Sequence, residues 1–352
     1  MNGEHKMRFS GCIFTFLFST LLHSETLTIY IWEDYLSQQV IESWEKETGH
    51  TIQQIYFDND EERDVAVASN QIPEIDLVIV DQIANIKLGK DGILIPKPSS
   101  KDMPGLLNID EEWKQSCGMH GIPYLWGTLG VAYRTDKFET PPSSWKELLE
   151  PNDELSGHIG LFEDYTDLIA PALFLLGHSI NTEDKKELQS AFKVIKRTLR
   201  NVLTFEYPLS YISANPKDET LHLTLAYSGD QYSLNDYAGK EIWDYTTLQE
   251  GTVIWVDCLS IPSQSQNKAL ALSFLNHLYT IENAALNSED IYVATPISAA
   301  KNLQSKELQE DTTVYPSEAL IQRSQFYKEL SISNINLRNR ITSSLAKLHD
   351  AQ

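Results

Sequence analysis

Apolar and polar positions alternate along Leu27-Thr28-Ile29-Tyr30-Ile31-Trp32, which predicts a strand. Leu36, Val40 and Trp44 then fall four residues apart, one stripe of an amphipathic helix that Gly49 is placed to end. Residues 51–57 read as a second strand and 60–70 as a helix. Residues 75–80 (IDLVIV) are apolar except for Asp76, the pattern of a strand buried on both faces. A short helix over 83–90 stops before Gly92. This strand–helix rhythm predicts an open, mainly parallel α/β sheet.

Beyond it, Ile122-Pro123-Tyr124 and residues 127–133 look extended and lead elsewhere. A second α/β stretch follows Pro141-Pro142, with helices at 145–149, 168–176 and 182–199 and strands at 159–162, 202–205 and 221–227. Residues 253–257 and 259–262 are extended again. Residues 269–278, 317–330 and 337–348 read as helices. Two α/β lobes joined by more than one extended crossover fit this order better than two beads on a linker.

The first residues change the picture. Lys6 and Arg8 precede a mostly apolar run over 9–22. That run is shorter than the roughly 20 residues of a membrane span and within the about 7–15 of a secretory signal. Residues 1–24 are therefore expected to be a signal peptide, with a soluble, exported, periplasmic chain after it. A formal charge of -22 repels phosphate backbones and excludes generic nucleic-acid binding. Cys12, Cys117 and Cys258 are too few for a disulfide framework, and none pair at CxxC spacing.

Several chemistries lack their residues. There is no phosphate-binding P-loop, no G-x-S-x-G elbow and no H-E-x-x-H, and no histidines pair at helical spacing. No cofactor and no metal is expected. Asp58, Asp60, Glu61 and Glu62 lack the glycine and twelfth-position acid of a calcium loop. They read as a solvated helix start, with Asp60 as its N-cap.

Carboxylates and aromatics do recur together, in Trp32-Glu33-Asp34-Tyr35, in Glu163-Asp164-Tyr165-Thr166-Asp167, and in Trp255-Val256-Asp257 with Tyr227-Ser228-Gly229-Asp230. Ligands of open α/β sheets bind beyond the carboxyl ends of strands, where two of these clusters fall. An aromatic face attracts a cation by about 0.5–2 kcal/mol. A carboxylate adds a charge-assisted bond of about 1.5–3 kcal/mol. Repeated, the pair fits an organic cation with an apolar stem and separated amines. The plainer alternative makes Asp34 the N-cap of a helix starting at Tyr35, gives Asp164 or Asp167 the same role in the next helix, and puts Trp32 and Trp255 in the core.

These blocks, with Glu47-Thr48-Gly49, Asp76-Leu77-Val78, Ile122-Pro123-Tyr124-Leu125-Trp126-Gly127, Ser144-Trp145-Lys146-Glu147-Leu148, Leu259-Ser260-Ile261-Pro262 and Ala294-Thr295-Pro296, resemble in order and spacing the bacterial spermidine/putrescine-binding proteins, the periplasmic receptors of polyamine ABC transporters. The resemblance implies the two-lobed α/β periplasmic-binding-protein fold (type II), with the ligand cleft between lobes. Lobe 1 is expected over 25–133 plus 256–296, and lobe 2 over 134–255 plus 297–352. It implies a monomeric, non-enzymatic protein that hands a polyamine, spermidine or putrescine, to an inner-membrane ABC permease. Carried over residue by residue, Trp32, Tyr35, Tyr227 and Trp255 line the methylene chain. Asp164 and Asp167 hold one amine end, and Asp257 with Glu33 or Asp34 holds the other or central amine. Tyr292 matches a family tyrosine, and a late glutamine falls near Gln325–Tyr327. Here Asp34 stands for a usual Glu, Asp167 for a Glu, Tyr227 for a Trp, and Ala84 lacks a ring.

Two rivals share the fold. Another solute, ferric iron or an oligosaccharide, is one. A thiaminase-like transferase is the other, with Cys117 as nucleophile and His120 three residues away.

Overall fold

The structure, a computed structural model, describes residues 24–57, 60–69 and 74–351. The expected signal segment lies outside the described residues but for Ser24, and so does Asp58. In chain order the elements are β1 (Thr26–Ile31), α1 (Gln38–Thr48), β2 (Thr51–Tyr56), α2 (Asp60–Ser69), β3 (Leu77–Asp81), α3 (Gln82–Lys90), β4 (Ile122–Arg134), α4 (Trp145–Leu149), β5 (Ile159–Gly160), α5 (Ala170–Leu175), α6 (Lys185–Thr198), β6 (Val202–Thr204), α7 (Pro208–Ala214), β7 (Leu223–Tyr227), α8 (Asp230–Ala238), β8 (Trp243–Thr246), β9 (Val253–Ser260), α9 (Lys268–Leu278), α10 (Ile281–Ile291), α11 (Ser298–Lys301), α12 (Lys306–Glu310), α13 (Glu318–Ile321), β10 (Gln325–Phe326) and α14 (Ile332–Asp350).

The strands lie in the order β2-β1-β3-β9-β4-β7-β5-β6. β1 runs parallel to β2 and β3, and β5 runs parallel to β6 and β7. Between these two parallel groups lie β9 and β4, which run antiparallel to their neighbours. β4 is shared. Residues 122–128 pair with β9 and 129–133 with β7. It is one buried strand, bulged between Pro123 and Leu125, where the sequence pattern suggested two. β4 and β9 are the extended crossovers, and apolar cores form on either side of them. One gathers residues from β1, α1, β3, α9 and α10 together with Ile297, Ala300, Leu308, Val314 and Tyr315. The other gathers α4, α5, α6, β7 and the C-terminal Ile341 and Leu345.

Local rules explain the elements. Leu77, Val78, Ile79 and Val80 of β3 are all fully buried, each contributing about 1.5–3 kcal/mol. Asp76 interrupts that run because it is a buried tie. Its carboxylate accepts from Thr28 N at 3.1 Å, Ser265 Oγ at 2.7 Å and Asn267 Nδ2 at 3.2 Å. α6 buries Leu188, Ala191, Ile195 and Thr198 at helical spacing, with Asp184 as its N-cap. Gly49 ends α1 at φ 76°, as its position implied.

Three expectations need correcting. α1 starts at Gln38 with Ser37 as its cap, so Asp34 does not cap a helix at Tyr35; Asp34 sits in the preceding turn with φ 55°. Residues 317–330 are no single helix, because α13 ends at Ile321 and Gln325-Phe326 pair with β9. Cys117 and Cys258 form a disulfide across 141 residues of sequence, with Cα atoms 5.8 Å apart. Cys117 therefore has no thiol to serve as the transferase nucleophile. Among the described residues, no helix is long and apolar enough to cross a membrane.

Candidate functional site

The carboxylate–aromatic clusters meet where the two cores face each other. β9 carries Trp255 and Asp257, and register places Asp257 opposite Asp81, the last residue of β3. Tyr35 follows β1, and its hydroxyl donates to Asp257 Oδ2 at 2.9 Å. Behind it, Tyr124 of β4 donates to the Tyr35 carbonyl at 2.7 Å and takes a bond from Asn287, which also accepts from Ser37 N. This relay from α10 fixes the Tyr35 turn. Trp32 lies 4.4 Å from the ring of Phe57, at the end of β2. Glu33 and Asp34 are exposed beside it.

From the second core, Asp164 closes the turn after β5 by accepting from Thr166 N, Thr166 Oγ1 and Asp167 N at 2.6–2.7 Å. That is the capping role of the plainer reading, performed in a turn that precedes α5 by several residues. The turn aims Asp167 inward, where Tyr227 and Tyr327 each donate a hydroxyl to one of its oxygens. Tyr227, at the end of β7, meets Trp255 edge-on at 6.4 Å. Gly127 makes this packing possible, since a Cβ there would stand 2.3 Å from the Trp255 ring and 2.5 Å from Ser228 Oγ. The Trp255 Nε1–H is buried and finds no acceptor among the described residues.

Both inner carboxylates are electrically uncomfortable. Burial pushes Asp167 up to about 7, with repulsion from Asp164 and Asp60 adding to it and the two tyrosine bonds opposing it. Burial likewise pushes Asp257 up to about 7; Asp60 and Asp81 add repulsion, while the Tyr35 bond and Arg63 oppose it. Neither carboxylate forms an ion pair among the described residues.

Tyr292 sits apart from these groups, capping the C-terminus of α10, its ring edge-on to Tyr232 of α8 at 4.8 Å. Gln325 accepts from Ser179 Oγ at 2.8 Å and from Ile180 N, whereas two residues later Tyr327 reaches Asp167. Asp60 stays exposed, as expected of a solvated helix start, but it is not the N-cap. It is the first residue of α2 and pairs with the buried Arg63, whose other partners are Asp64 and Asp81. Sequence reasoning did not single out Phe57, Arg63 or Asp81, and it left the register open around Gln325–Tyr327, where Tyr327 is the residue that reaches Asp167. Asp81 carried a usable signal, since it stands directly at the carboxyl end of a buried strand.

Carboxylates, tyrosine donors and ring faces brought together between two lobes have the chemistry to hold a cationic solute. A model of the bacterial extracellular solute-binding protein family matches residues 39–316, and the chain belongs to that family. It is 32% identical to the norspermidine sensor of Vibrio cholerae over 93% of this chain and 90% of that protein. It is 28% identical to the spermidine/putrescine-binding periplasmic protein of Escherichia coli K12 over 88% of this chain and 89% of that one. Its fold matches the solved spermidine/putrescine ABC transporter substrate-binding protein PotD of Streptococcus pneumoniae, with a TM-score of 0.81 and 23% identity over 93% of this chain and 100% of the other.

Proposed function

We propose that this protein captures a polyamine outside the cytoplasm and closes its two lobes on it. The observation that carries the reading is the pair Asp167, buried, and Asp257, half-buried, on facing lobes, whose carboxylates accept tyrosine hydroxyls and meet no basic side chain among the described residues. A buried carboxylate is tolerated when a cation compensates it. Separated ammonium groups on an apolar chain supply that compensation twice. In this reading Asp164 and Asp167 take one amine, Asp257 takes another with help from Glu33 or Asp34, and Trp32, Tyr35, Tyr227 and Trp255 hold the methylenes. Tyr292 closes the rim and Tyr327 orients Asp167. Lobe closure is stabilised by contacts that exist only when both carboxylates reach the ligand. The names of the two relatives support the ligand class. The protein then acts as a periplasmic monomer and delivers the polyamine to an inner-membrane ABC permease.

A second partner is favoured by one finding: the relative sharing 32% identity is named a sensor, which would make the recipient a membrane receptor. Uptake of labelled polyamine by cells with and without the gene separates the two recipients. The binding reading itself is tested by calorimetric titration of the parent, Asp167→Asn and Asp257→Asn with putrescine and spermidine. Loss of one partner of a buried charge pair costs about 2–5 kcal/mol. Binding by both variants within about threefold of the parent, or roughly 0.65 kcal/mol, would refute it.

A further inference from the structure

The seam between the lobes already contains a cation. Arg63 projects from α2 with a side chain only 1% exposed. Its guanidinium pairs with Asp60, with Asp64 at 2.8 Å and with Asp81 at 3.0 Å, and it lies 5.3 Å from the centre of the Phe57 ring. Phe57 in turn packs on Trp32, a wall of the proposed ligand path. Asp81 is the register partner of Asp257. Carboxylates around a cation, over an aromatic face, is the same chemistry expected for a ligand ammonium.

We propose that Arg63 fills one cation subsite of the cleft with the protein's own guanidinium and so limits how many charges the ligand brings, an inference that rests on the polyamine reading. Six carboxylates converge on this seam: Asp60, Asp64, Asp81, Asp164, Asp167 and Asp257. Without Arg63 they would favour the most highly charged polyamine available. With it, the charge of Asp60, Asp64 and Asp81 together is reduced by one before any ligand arrives, and the lower attraction left in the cleft suits a di- or triamine. The influence of Arg63 extends to Asp257, whose raised pKa it partly offsets. Arg63 is thus a specificity-determining residue that need not touch the ligand.

The test is calorimetric titration of the parent, Arg63→Met and Asp81→Asn with putrescine, spermidine and spermine, which carry two, three and four amines. Arg63→Met keeps most of the volume and deletes the positive charge. The ratio of spermine to putrescine affinity should rise about tenfold, or about 1.4 kcal/mol. Asp81→Asn deletes a negative charge, while its amide oxygen still caps α3 as Asp81 Oδ1 does for Ile83 N and Ala84 N. There the ratio should fall at least threefold. If Arg63→Met does not fold, Asp81→Asn decides alone. Ratios within threefold of the parent's overturn the inference, as does an equal weakening of all three ligands by Arg63→Met, which is what a purely structural tie between α2 and β3 would give. A parent that binds none of the three removes the polyamine reading itself, and this inference with it.

Discussion

Polyamine binding should weaken steeply below neutral pH. Asp167 and Asp257 are both pushed up to about 7 in the unliganded protein, chiefly by burial. The ligand's ammonium groups, like lysine, remain protonated across this range. Binding therefore requires both carboxylates to ionise, and protons compete with the ligand. Between pH 8 and pH 6 the ionised fraction of a group with pKa near 7 falls about tenfold, so two groups give about 100-fold, or roughly 2.7 kcal/mol. Asp60 is also raised, to about 6, but its side chain is 59% exposed and solvent screening discounts it. Titrations in buffers of differing ionisation enthalpy should find about one proton released per ligand at pH 7, roughly half from each carboxylate. Unliganded stability should run the other way. Between about pH 4 and pH 7 the folded state holds more protons than the unfolded state, so raising the pH across that window costs stability. Asp167→Asn should halve the logarithmic slope of affinity with pH. An affinity that changes less than threefold between pH 8 and pH 6 would refute the assignment of these two carboxylates as ligand groups.

Gly127→Ala should push the Trp255 ring aside, given the 2.3 Å contact its Cβ would make. Ligand affinity should drop about tenfold while overpacking costs about 1–3 kcal/mol of stability, read by titration and denaturant unfolding. Cys117→Ser should lower stability by about 2–5 kcal/mol without altering any turnover, and thiol titration of the unreduced, unfolded parent should find neither Cys117 nor Cys258 reactive. The exported chain should begin near Glu25 in the periplasmic fraction; an intact Met1 on cytoplasmic protein would contradict this.

Much of the frame was legible because the strands announce themselves by burial. Residues 75–80 could hardly be anything but a covered strand, and β3 occupies the core of the first lobe. Less legible were the elements whose order depends on distant partners. β10 has two residues and exists only because Thr252 and Val253 lie alongside. α8 begins at Asp230, whose carboxylate binds Tyr207 and Tyr227 N, so the residues that read as a strand end also start a helix. In the site, residue types that advertise cation binding stood out in pairs along the chain, as with Asp257 near Trp255. Arg63 did not, because a basic residue among acids at a helix start looks like an exposed face until β3 is folded against it. Tyr327 was blurred by register: Gln325 turns to Ser179, and the contact with Asp167 falls two residues later.

The link between Cys117 and Cys258 bears on how such a chain leaves the cytoplasm. Closing a loop of 141 residues removes chain entropy worth on the order of 5 kcal/mol from the unfolded ensemble, and only once the sulfurs are joined. Reducing compartments keep thiols apart, whereas the extracytoplasmic space lets them pair. A chain of this extracellular family would therefore be easiest to unfold on the side where a translocation channel must thread it, and hardest to unfold on the side where it works. In a chain exported in this way the bond would act as a ratchet, its free energy arriving after passage and opposing slipping back. It also ties the segment before β4 to β9, the strand that carries Trp255 and Asp257.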